Sequence, residues 1–153
     1  MNENNRFQSV LERAAKLLRL ECPRIDALGT GGIKLEDGYE ISLIAPPFDD
    51  FVYLAAPICF LDGRDQRALC RAALESNYML TETRGATLSI DPDANQLILC
   101  TGLRLASLSP EVLAEEIASI DEVSQQLRAK FLDSAGVADR SDGQEPLPGG
   151  FRV

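Results

Sequence analysis

The chain has 153 residues, 45% of them hydrophobic and 25% charged, enough for a single domain with its own core. Fifteen basic residues face twenty-four acidic ones, for a net charge of −9. That balance opposes nucleic acid, whose affinity comes from Lys and Arg at phosphates. The absence of histidine removes Ser–His and Cys–His nucleophile pairs.

No apolar run approaches the roughly 18 residues of a membrane helix, and "MNENNRF" has no charged segment leading into an apolar one. A cytoplasmic protein that binds no membrane is expected. Cys22, Cys59, Cys70 and Cys100 include no CxxC pair, so no metal or cofactor is expected; all four read as reduced, and Cys59, Cys70 and Cys100, which lie in apolar stretches, as buried small hydrophobes.

In chain order, Phe7, Val10, Leu11, Ala14, Leu17 and Leu18 recur at spacings of three and four, which predicts a helix over 4–20 that Pro23 ends. Gly29, Gly31 and Gly32 predict a glycine-rich bend. Glu36-Asp37-Gly38 is a turn between two alternating runs, Gly32 to Leu35 and Tyr39 to Ala45. Beyond a Pro46-Pro47 and Asp49-Asp50 loop, Phe51 to Phe60 is a third strand. Its residues Val52, Leu54, Ala56 and Ile58 share one face while Phe51 and Tyr53 share the other, so both faces carry apolar groups.

A second helix is predicted at about 64–77, with Asp62 as a plausible cap. Ala68, Leu69, Cys70, Ala72, Ala73 and Leu74 go most of the way round it, the pattern of a helix covered on two sides. "RGATLSIDPDANQLILC", residues 84–100, reads as a hairpin about Asp91–Asn95, again apolar on both faces. Leu108-Ser109-Pro110-Glu111 opens a third helix with Ser109 as N-cap, Pro110 at the first position, and Leu108 and Leu113 at staple spacing. Leu113, Ile117, Ile120, Leu127 and Phe131 mark its apolar face. From 134 to 153 Gly, Pro, Asp and Ser accumulate, which predicts a flexible tail after a domain spanning 1–133.

The expected fold is therefore α+β, in the order α-β-β-β-α-β-β-α with a largely antiparallel sheet. "GTGGIK" fails both phosphate-loop patterns and precedes a strand. The adjacent acids Asp49–Asp50 and Glu115–Glu116 point apart and read as solvated carboxylates. No enzyme is expected.

This order, in an acidic chain of this size, resembles the class I type III secretion chaperones, the CesT/SycE-like family. The most specific stretch is "ALCRAALESNYMLTETRGATLSIDPDANQLILCTGLRLASLSPEVLAEEI", residues 68–117. There a short helix ends at Ser76-Asn77, a strand carries Gly85 to Leu88, and a Leu-rich last helix follows. The resemblance implies a twisted-sheet homodimer that binds the N-terminal segment of a secreted effector without ATP hydrolysis and presents it to the secretion apparatus. It places the second helix at the dimer interface, with Leu69, Arg71, Ala72, Ala73 and Leu74 as candidates, so that Leu69→Asp is expected to split the dimer. For the effector the candidates are Phe7, Leu11, Leu18, Ile33, Leu35, Ile41, Leu43, Val52 and Leu54, with a core role as the competing reading. The alternative function is an immunity or antitoxin-like protein that blocks a folded toxin domain.

Overall fold

The structure, a computed structural model, describes residues 3–46 and 49–135. In chain order it has helix α1 (Glu3–Leu18), strands β1 (Thr30–Lys34), β2 (Glu40–Ile44) and β3 (Phe51–Phe60), and helix α2 (Gln66–Ser76). Strands β4 (Thr87–Asp91) and β5 (Gln96–Arg104) and the long helix α3 (Pro110–Ala135) follow. Short 3-10 turns at Tyr78–Leu80 and Leu105–Ser107 flank the second hairpin. All five strands form one sheet in the order β1-β2-β3-β5-β4, and every neighbouring pair is antiparallel.

The local chemistry accounts for the boundaries. Val112 N–H donates to Ser109 Oγ at 3.2 Å, the expected cap of α3. For α2 the cap is Asp65, which accepts from Ala68 N–H at 3.1 Å. Asp62 instead accepts from the Asn95 side chain at 2.7 Å and ties the start of α2 to the β4–β5 turn. Asp91 accepts from the N–H groups of Asp93 and Ala94, which closes that turn.

The glycine-rich bend resolves differently from its sequence reading. Asp26 Oδ1 accepts from Leu28 and Thr30 N–H, so the bend lies at 26–29. Gly31 and Gly32 belong to β1, which starts two residues earlier than expected. Gly29 adopts φ +81°, and a Cβ there would collide with the Ala45 carbonyl, so only glycine closes this corner.

The core lies between one sheet face and two helices. Ile33, Ile41, Leu43, Val52, Leu54, Ala56, Leu97 and Leu99 are buried on that face. Helix α3 packs across β3 and touches β5, and α1 lies alongside α3. From α3 the core takes Leu113, Ile117, Ile120, Val123, Leu127 and Phe131, and from α1 it takes Phe7, Leu11 and Ala14. Leu17, assigned by spacing to the apolar face of α1, is 58% exposed. Helix α3 runs to Ala135, so the segment read as tail from 134 begins inside it. Residues 136–153, the rest of that segment, lie outside the described residues.

One charged side chain reaches into this interior. Arg128, on α3, donates to the Pro57 carbonyl at 3.0 Å and to Asp37 at 2.9 Å, and stacks 3.8 Å from the Tyr39 ring centroid. The pairing of β3 with β5 shifts register between Pro57 and Cys59. Arg128 thus fastens α3 to both the strand irregularity and the β1–β2 turn.

Candidate functional site

The residues proposed from sequence for an effector lie almost entirely in the core. Phe7, Leu11, Ile33, Leu35, Ile41, Leu43, Val52 and Leu54 are all buried, and Leu18 is partly so. These side chains contact the protein's own interior. The physical reason is that spacing identifies an apolar face, and the most regular apolar face is the one that α1 and α3 cover.

The opposite sheet face is the open one. Antiparallel partners share a face, so three rows can be followed across it. One runs Ile44–Tyr53–Gly102, the next Ser42–Ala55–Cys100–Thr87, and the third Pro57–Ile98–Ser89. Ile44 and Tyr53 are 38% and 37% exposed, and the other side chains of these rows range from half-buried to exposed. Small residues at Ser42 and Ala55 let another backbone approach closely, whereas the Tyr53 ring fills the space over Gly102. Phe51 and Tyr53 stack with ring centroids 6.2 Å apart, and Arg104 lies over Phe51. The Tyr53 hydroxyl donates to Asp49 at 2.9 Å, which raises the phenol above its ordinary value.

Helix α2 and the turn after it form a second open surface. Leu69, Ala73 and Ser76 are its buried residues. Of the interface candidates, Leu69 and Ala73 therefore face the core, Ala72 is partly buried, and Arg71 and Leu74 are exposed. Leu74, Tyr78 and Met79 are each more than 70% exposed, and Leu80 is 42% exposed. Sequence reading stopped at the helix end and missed Tyr78, Met79 and Leu80; the signal was three apolar residues directly after the Ser76-Asn77 terminus.

This turn is strained and held at several points. Met79 and Leu80 both have positive φ, 57° and 54°, a region that costs a side-chain-bearing residue about 1–2 kcal/mol. Asn77 brackets the edge strand: its side chain accepts from Leu88 N–H at 2.8 Å and donates to Leu88 C=O at 3.2 Å. Arg84 grips Glu122 of α3 through two contacts of 2.6 and 2.9 Å. Lys130 binds Glu82 and Ser76 at 2.7 and 2.8 Å. Beside the turn lies a hollow of about 630 Å³ lined by Arg67, Cys70, Arg71, Leu74, Glu75 and Tyr78.

The chemistry on offer is adhesive. All four cysteines are half-buried, so Cys59, Cys70 and Cys100 are more open than expected of them. Burial is the main reason that the thiols of Cys22, Cys59 and Cys100 lie above their ordinary value, the opposite of activation. Among the described residues no group of three Cys, Asp or Glu side chains is placed to hold a metal ion, and no helix is long and apolar enough to cross a membrane.

Comparison with known proteins gives a consistent result. The profile of the Tir chaperone protein (CesT) family matches residues 9–128. A chain of the ExsC–ExsE complex superposes with a TM-score of 0.73 at 14% identity, over 84% of this chain and 96% of that one. A chain of the HopA1–SchA chaperone–effector complex gives 0.65 at 18% identity, over 82% and 95%. The Yersinia pestis type III secretion chaperone SycH, solved in complex with a fragment of YscM2, gives 0.60 at 21% identity, over 79% and 98%. At these identities the likeness is one of fold. No curated protein sequence matches the chain.

Proposed function

This chain belongs to the Tir chaperone protein (CesT) family, and from that premise we propose that it is a type III secretion chaperone. It binds the N-terminal segment of a secreted effector in the cytoplasm, keeps it soluble and competent for export, and does so without ATP hydrolysis. The family is one of chaperones, not of enzymes, and it favours this reading over a toxin-blocking antidote. The observation that carries the reading is the sheet itself: one face sealed by α1 and α3, the other open and studded with Ile44, Tyr53, Ala55, Pro57 and Ile98. An extended segment laid on it would bury alternate apolar side chains, each worth about 1.5–3 kcal/mol before the ordering cost.

The homodimer is part of the same proposal. The open surface of α2 carries a projection, Met79 and Leu80, beside a hollow lined by Leu74 and Tyr78. A patch that holds both shapes is complementary to itself across a two-fold axis, the form of an isologous interface. The strained turn, fixed by Asn77 and Arg84, presents its apolar side chains without a further ordering cost.

The test is co-expression with the first ~100 residues of a candidate effector, followed by affinity capture and limited proteolysis. The expected result is a complex stable without ATP in which a protease-sensitive effector segment is protected. Replacing Tyr53 and Ile98 by Glu is expected to abolish capture while the chaperone stays folded. Capture of only a compact, protease-resistant domain would reverse the reading in favour of an antidote.

A further inference from the structure

The charge of this acidic protein is unevenly spread. Five of its fifteen basic residues, Arg6, Arg13, Lys16, Arg19 and Arg24, fall on α1 and the segment just after it, and all five are exposed. At 100° per residue, Arg13 stands two turns from Arg6 and nearly in line with it. Lys16 is one turn further along the same side, with exposed Leu17 beside them. The other side of α1 is held on the core by Phe7, Leu11 and Ala14.

These cations are not committed to the fold. The ion pairs among the described residues join Arg71 to Glu75, Arg84 to Glu122, Arg128 to Asp37 and Lys130 to Glu82, and none involves α1. Arg6 makes one long hydrogen bond, 3.4 Å to the Ala106 carbonyl. Glu111, at the start of α3, is near enough to Arg13 to feel its charge but forms no ion pair with it.

We propose that the exposed face of α1 docks a short acidic segment of a protein partner, separately from the effector surface on the sheet. Arg6, Arg13 and Lys16 span about 15 Å along the helix, at 1.5 Å per residue. That length fits a few carboxylates of one segment, while Leu17 and the aliphatic stems of the basic side chains supply apolar contact. The surroundings select against a longer polyanion. The rest of the chain is strongly acidic, and Glu12, Glu21 and Glu111 border the patch. A nucleic acid or an anionic bilayer would extend past the cations and meet these carboxylates; a short segment would not.

The experiment uses the full chain and its Arg13→Glu/Lys16→Glu variant, each checked by circular dichroism for an unchanged melting curve. The probe is a fluorescein-labelled twelve-residue peptide with four glutamates at helical spacing, read by anisotropy. The expected result is saturable binding that weakens about tenfold in the variant and falls with added salt, while a glutamine version of the peptide does not bind. Effector capture is expected to be equal for both proteins, so failure of the chaperone reading and failure of this one are distinguishable. The proposal is overturned if the acidic peptide fails to bind or binds both proteins alike, or if an oligonucleotide or phosphatidylserine vesicles bind more tightly than the peptide. If the double variant does not fold, Lys16→Glu alone, at an exposed position in the last turn, carries the same comparison.

Discussion

Helices α3 and α2 serve the same sheet but use their apolar surface very differently. Helix α3 puts Leu113, Ile117, Ile120, Val123, Leu127 and Phe131 into the core over its 26 residues and leaves Glu111, Glu115 and Glu122 exposed. Helix α2 buries only Leu69, Ala73 and Ser76 over 11 residues, then leaves Leu74 and the Tyr78–Leu80 turn uncovered. Helix α3 leaves Val112 and Leu132 exposed near its two ends but commits the apolar stripe between them to its own domain. The apolar surface that α2 and its rigid turn leave over is the one proposed above as the dimer contact.

The strongest way to break that comparison is to place the same charge on both sides of α2. Leu69→Asp puts an unpaired carboxylate at a buried position and is expected to cost several kcal/mol, enough to unfold the chain in a thermal melt. This replaces the sequence-based expectation that Leu69→Asp would merely separate subunits. Leu74→Asp, at a position 71% exposed, is expected to change monomer stability by less than about 0.5 kcal/mol. It should nevertheless convert a dimer into a monomer in sedimentation equilibrium at micromolar concentration. A wild-type protein that sediments as a monomer there would refute the interface.

On α3, Leu127→Ala should cost about 2–5 kcal/mol in denaturant unfolding, because it opens a cavity where nothing relaxes to fill it. Arg128→Met is expected to cost about 2 kcal/mol, less than a fully buried pair because Asp37 keeps access to water. A value near zero would mean that Arg128 does not fasten α3 to the β1–β2 turn.

The smallest effect is a pH dependence of the contacts that fix the strained turn. Lys130 holds the Glu82 carboxyl, and Arg84 the Glu122 carboxyl, below the ordinary value of 4.5. Their folded values are depressed, so the stabilisation is present above about pH 4.5 and is lost as pH falls through the depressed values. Glu82→Gln should flatten the acid limb of the stability curve slightly, and an unchanged limb would show that these contacts add nothing.

Most of the fold was legible because its signals are local. Ser109-Pro110 starts α3, Phe51–Phe60 is β3 to the residue, and the aspartates of the turns sit where they close the chain. Helix ends were less so: Asp62 and Asp65 both precede α2, but Asp62 lies in a turn over 61–64, with Gly63 at φ 69° and its carboxylate on Asn95, which leaves the cap to Asp65.

By itself, then, the sequence determined the order of elements, the α+β class and the two-sided apolar character of the strands, since these follow from periodicity and turn chemistry. Only the tertiary structure decided which face is core and which is surface. A strand presents two faces, and its sequence does not say which one α1 and α3 will cover. That choice puts Ile41, Leu43 and Leu54 in the core and leaves Ile44, Tyr53 and Ala55, one residue away along the same strands, on the open face where the effector is proposed to lie.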